Sequence, residues 1–118
     1  MRKVMAVLAV VVFMSVASSA YAHPPSDIKI TFDPKTKTVQ AVIIHHVSNP
    51  AKHYIYKVDI GLNGKEIQEI KFTKQDNNVS QTVSYSIADA KDGDVVSVQG
   101  YCNLSGTLTR QLKLPAAK

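Results

Sequence analysis

The chain has 118 residues, 14 of them basic and nine acidic, for a formal charge of +5, with 45% hydrophobic residues, no tryptophan and one cysteine. That length admits one domain with one core, and a lone cysteine excludes an internal disulfide. The lysines are scattered among acids with no interleaved aromatic stripe, which speaks against a nucleic-acid partner.

The first 22 residues form three parts. Arg2 and Lys3 are a positive start, Val4 to Val16 is a charge-free apolar run, and small residues lead to Ala20-Tyr21-Ala22, the A-x-A pattern read by signal peptidase. The apolar run is short for a permanent anchor, and no later stretch is long and apolar enough to span a bilayer. The expectation is a signal peptide at residues 1–22 and an exported domain at residues 23–118, periplasmic or secreted and free of the membrane after cleavage. Loss of Arg2 and Lys3 lowers the formal charge from +5 to +3. In an oxidising compartment Cys102 would be buried and inert, paired to another chain, or held by a metal.

Beyond His23 the apolar period is two almost throughout. Ile28, Ile30 and Phe32 alternate with polar residues, and Asp33 to Lys37 is a turn. Thr38 to His46 reads as a second strand, and Val47 to Lys52 (VSNPAK) as a loop broken at Asn49-Pro50. His53 to Leu62 is a third strand with Tyr54, Tyr56, Val58, Ile60 and Leu62 expected on one face. Asn63-Gly64 is a strong hairpin signal, and Lys65 to Phe72 returns as its partner. Polar Lys74 to Asn78 precedes a strand from Val79 to Ile87. A turn at Asp92-Gly93-Asp94 leads to Val96, Val98 and Cys102, and a last strand carries Leu108, Leu112 and Leu114. Pro115 to Lys118 reads as a tail. Seven strands spaced about ten residues apart predict a single all-β domain, an antiparallel immunoglobulin-like β-sandwich without the usual disulfide.

All four histidines lie between positions 23 and 53. Three imidazoles and a thiolate suit a transition metal such as iron, copper or zinc, while unrelated surface histidines are the plainer alternative. His45 and His46 sit next to each other in a predicted strand, so they point to opposite faces and only one joins a given site. Cleavage after Ala22 would give His23 a free amine beside its imidazole, a chelate suited to copper(II); a loose terminus is the competing expectation. Paired-carboxylate, serine-triad and phosphate-loop readings find no support, and a Cys–His nucleophile pair lacks anything to position a substrate. The tyrosines at 54, 56, 85 and 101 read as core, and Asn78-Val79-Ser80 matches a glycosylation pattern.

Two segments are less generic. His45-His46-Val47-Ser48-Asn49-Pro50-Ala51-Lys52-His53-Tyr54-Ile55, followed by Val58-Asp59-Ile60, resembles the His-Pro…His-Tyr-Ile segment of superoxide reductases (neelaredoxin and the iron domain of desulfoferrodoxin). Tyr101-Cys102-Asn103-Leu104-Ser105-Gly106 is similar to their Cys-Asn-x-His-Gly segment, and Asn63-Gly64-Lys65 to the family's turn. The resemblance runs along essentially the whole domain. It implies an immunoglobulin-like barrel holding one non-haem iron through four histidines and an axial cysteine thiolate. Cys102 would then be the axial, catalytic thiolate, His53 an equatorial ligand, His45 its upstream partner and His23 the N-terminal ligand. His46 stands where the family has proline and is a substitute ligand.

There are departures from the family pattern. The interval from His45 to His53 is longer, Ser105 replaces the last histidine, and cleavage would leave no Glu-Lys pair ahead of the first. The resemblance implies reduction of superoxide to hydrogen peroxide, with electrons from an external donor protein, since the chain has no second redox motif. Hydrogen bonds to sulfur from Asn103 and the backbone of Leu104 and Ser105 would tune the centre. The alternative is a non-enzymatic copper or iron carrier that uses the mature N-terminal histidine.

Overall fold

The computed structural model describes residues 23–115. The expected signal segment, and all of the expected tail but Pro115, lie outside the described residues. Within them are seven strands and no helix: β1 Asp27–Asp33, β2 Thr38–Ile44, β3 Ile55–Leu62, β4 Lys65–Lys71, β5 Ser80–Ser86, β6 Val95–Cys102 and β7 Thr107–Lys113. Every pairing is antiparallel, in a three-stranded sheet β1-β2-β5 and a four-stranded sheet β4-β3-β6-β7. The expected all-β, two-sheet architecture is present. β4 stays with β3, β6 and β7, where a constant-type immunoglobulin domain would pair its fourth strand in the sheet of its first, second and fifth.

Local sequence explains the elements. Asn63 and Gly64 both have positive φ, 52° and 85°, as the central pair of a type I′ turn requires, and they join Leu62 to its partner Lys65. Along β6, Val96, Val98, Gly100 and Cys102 are buried while Val95, Ser97, Gln99 and Tyr101 are only half-buried. β2 does the same with Val39, Ala41 and Ile43. Val39, Ala41, Ile43, Val96 and Val98 join Ile55, Val58, Ile60 and Val83 in the core between the sheets. Each fully buried Ile or Val stabilises the fold by about 1.5–3 kcal/mol through apolar area removed from water.

One expectation is corrected. Tyr54, Tyr56, Val58, Ile60 and Leu62 do not share a face throughout, because the β3–β6 register shifts between Ile55 and Lys57. The extra residue resets the alternation, so Ile55 and Val58 both point inward and Tyr56 is 39% exposed. The strand also begins at Ile55, which leaves His53 and Tyr54 in the preceding connection.

The pairing places four chain segments at one end of the sandwich. Asp27 opposes Ile44, so the start of β1 lies beside the end of β2. Ile55 opposes Cys102, so the start of β3 lies beside the end of β6. His23, His45, His53 and Cys102 sit on these four ends.

Candidate metal centre

His45 continues the inward parity of Val39, Ala41 and Ile43 one step past the end of β2 and is fully buried; His46 takes the opposite parity and is exposed. His53 follows a tight turn in which the Lys52 and His53 amides donate to Asn49 O at 3.1 and 2.9 Å. Cys102 closes β6, 5% exposed, and is a free cysteine. His23 is brought in by Pro24 and Pro25. Gly106, with φ of +79°, presents a bare backbone to Pro24, where a Cβ would come within 2.9 Å of the Pro24 Cβ.

His23, His45 and His53 converge. Each offers a ring nitrogen, and these three atoms lie within 4.8 Å of one another, so the group can hold a metal ion. The ring centroids are 4.7–5.0 Å apart in edge-to-face arrangements. Cys102 joins through one member of the group: its Sγ is 3.2 Å from His53 Nε2. The two atoms are near enough that one ion could take both as ligands. The close group is His23, His45 and His53; Cys102 lies at its edge, in contact with His53 alone among these rings, and His46 lies outside it.

The partners of the rings show where the lone pairs point. His23 Nδ1 is 3.0 Å from Pro24 O, an atom that only accepts, so Nδ1 carries the proton and Nε2 the lone pair. His45 Nδ1 is 2.8 Å from Gln75 Oε1, and its Nε2 is 3.2 Å from His23 O. A neutral imidazole has one N–H, and the shorter contact claims it. In that tautomer Nε2 carries the lone pair and lies on the side of His23. Burial first, then the neighbouring His45 and His23, hold the His53 imidazole below its ordinary value of 6.5, against a smaller opposing backbone contact from His23. His53 therefore offers a neutral ring, as a ligand must.

The sulfur has a further partner. The Leu104 amide donates to Cys102 Sγ at 3.4 Å, one of the bonds expected from sequence. Asn103 plays another part. Its amide donates to Tyr54 O at 2.9 Å, its Oδ1 accepts from Tyr54 N at 2.8 Å, and its Nδ2 donates to Lys52 O at 3.0 Å. It clamps the residues on both sides of His53 to the residue after Cys102. Ser105 is exposed.

Two groupings escaped the sequence reading. Gln75, in a stretch read as polar loop, is 2% exposed and bonded to His45. No local pattern marks it. The β3–β4 register opposes Asp59 to Glu69, and with Glu66 these form a second carboxylate group. Tyr101 donates to Asp59 Oδ2 at 2.8 Å, and Lys57 lies 3.9 Å from Asp59 and 3.8 Å from Glu69. The bond to Asp59 pushes the Tyr101 phenol up to about 12. Comparison with protein-family models, curated proteins and solved structures finds no match, and the chemistry of the site rests on its own residues.

Proposed function

We propose that the domain is an exported mononuclear metal protein in which His23, His45, His53 and Cys102 hold one iron ion, and that it reduces superoxide to hydrogen peroxide. The observation that carries the reading is the approach of the His53 ring to the Cys102 thiol at the same place where three imidazoles converge. The two segments that resemble superoxide reductases supply those two residues. Imidazole and thiolate together fit iron, copper or zinc, and the resemblance favours iron.

When bound, the ion would supply one-electron chemistry. Superoxide takes up one electron and two protons to give hydrogen peroxide, and the electron comes from an external donor protein. The chain's own residues hold the centre in place. The Leu104 amide stabilises negative charge on the Cys102 sulfur, Gln75 orients His45, and Asn103 fixes the distance between His53 and Cys102. With Ser105 in place of a histidine, the protein offers three imidazoles rather than four, which leaves more of the ion open to small ligands.

The alternative is a copper or iron carrier built on an amine–imidazole chelate at His23. The contact of His23 Nδ1 with Pro24 O favours the first reading, because Nδ1 is the ring nitrogen nearest the backbone amine.

The test is expression of the full chain with export, mapping of the mature N-terminus, and reconstitution with ferrous iron or copper. The proposal expects one iron per chain, a visible ferric–thiolate band lost in Cys102→Ser, and reductant-dependent conversion of superoxide to peroxide. Copper that survives Cys102→Ser and is lost when a residue precedes His23 would establish the carrier instead. Stoichiometric binding of neither ion would overturn both.

A further inference from the structure

Gln75 is almost wholly buried although it belongs to the connection between β4 and β5, among exposed Lys74, Asp76, Asn77 and Asn78. Its side-chain amide uses every donor and acceptor it has. Nε2 donates to His45 O at 2.8 Å and to Asn77 O at 2.9 Å. Oε1 faces His45 Nδ1 at 2.8 Å and accepts from Ile55 N at 3.2 Å. Its backbone amide donates to Pro50 O at 2.9 Å. One residue thus ties together the end of β2, the loop before His53, the start of β3 and the turn before β5.

The pattern also fixes which way round the amide lies. Two backbone carbonyls can only accept, so the group facing them is the NH2. The Ile55 N–H can only donate, so the group facing it is the oxygen. A pure acceptor therefore faces His45 Nδ1 at a distance that requires a proton between them. The opposite tautomer would set two lone pairs against each other at 2.8 Å in a buried site.

We infer that Gln75 is a positioning residue: it holds the His45 ring with its proton on Nδ1, so that Nε2 is presented as the metal-binding nitrogen. This rests on the metal-centre reading for its function, while the tautomer is a property of the protein itself. Outer partners of this kind fix a ligand's orientation and basicity, and their loss typically lowers metal affinity by about 10–100-fold. A neutral amide at this position also leaves the ligand set with Cys102 as its one anionic member, whereas a carboxylate would push His45 toward imidazolate character.

The experiment is long-range 1H–15N NMR of the histidine rings in metal-free protein, paired with metal titration of wild type, Gln75→Glu and Gln75→Met. The wild-type spectrum is expected to show His45 protonated at Nδ1 and bare at Nε2. Gln75→Glu keeps an acceptor against the ring but sets an oxygen against the His45 and Asn77 carbonyls, so it should keep the Nδ1 proton while losing stability. Gln75→Met keeps the bulk without an acceptor facing the ring; it should lose the tautomer preference and bind the ion about 10–100-fold more weakly. A wild-type His45 protonated at Nε2, or at both nitrogens, would overturn the inference without any variant having to fold. So would a folded Gln75→Met protein with unchanged tautomer and affinity. A wild type with the expected tautomer that binds neither iron nor copper supports the Gln75–His45 relationship and overturns the metal centre alone.

Discussion

His53 Nε2 lies 3.2 Å from Cys102 Sγ across 49 residues of sequence, and the contact is made by backbone pairing rather than by any local motif. The β3–β6 ladder brings Ile55 opposite Cys102, and Asn103 then bonds to the residues on either side of His53. Asn103→Ala removes two side-chain hydrogen bonds and no ligand. It should cost about 1–3 kcal/mol of stability and weaken metal binding, with every ligand still present. Denaturant unfolding and metal titration of the same variant check both effects; an unchanged affinity would mean that the clamp does not set the site.

Gly106 controls the other side of the group. Alanine there meets both the positive φ and the Cβ of Pro24, at a cost on the order of 1–3 kcal/mol. Relief by displacement of Pro24 would carry His23 away from His45 and His53. Gly106→Ala should therefore lower metal affinity as His23→Ala does, and the double variant should be little worse than either alone. Full additivity in that cycle would show that Gly106 does not act through His23.

Metal removal should be visible in stability. An ion present at about a hundred times its dissociation constant stabilises the native state by about 2.7 kcal/mol, which raises Tm by roughly 10–20 °C in a domain of this size. Thermal melts with and without a chelator should show that shift in wild type and lose most of it in His45→Ala. A shift of equal size in both proteins would place the ion elsewhere.

Acid should weaken the metal-free fold in two stages. The His53 ring is held below 6.5 in the folded state, so below that pH the unfolded chain takes up a proton that the native state refuses, and stability falls. Asp94 has the opposite preference. Its bond from Asn63 Nδ2 and, next, its bond from the Lys91 amide hold its carboxyl below 3.8. Its contribution is present above that value and is lost as pH falls through the lowered one. Chemical denaturation across pH 7 to 3 should show the upper stage vanish in His53→Asn and the lower in Asp94→Asn. Bound metal should deepen the upper stage, since it holds the ligating imidazoles neutral in the native state while the unfolded chain takes up their protons.

Much of this was legible in the sequence because it follows from alternation and turn chemistry. The Asn63-Gly64 hairpin, the seven strands and the opposite facing of His45 and His46 need only a period of two and a pair of residues that tolerate positive φ. The burial of Tyr56 was misread because the shift between Ile55 and Lys57 depends on pairing with β6, which no local pattern reveals. Gln75 was missed for a related reason. A glutamine among polar residues looks like solvated loop, and its burial is made tolerable by the nearby carbonyl of Asn77 together with the carbonyl and ring of His45, 30 residues away. The Asp59, Glu66 and Glu69 group likewise comes from register across a hairpin rather than from spacing along the chain.

The central claim is that three imidazoles and one thiolate bind a single ion. X-ray absorption at the metal edge of iron-loaded protein reads that donor set most directly. The account predicts one sulfur and three imidazole nitrogens bound to the ion, with the sulfur lost in Cys102→Ser. A shell of nitrogen and oxygen alone in wild type, or a sulfur that persists in Cys102→Ser, would contradict it.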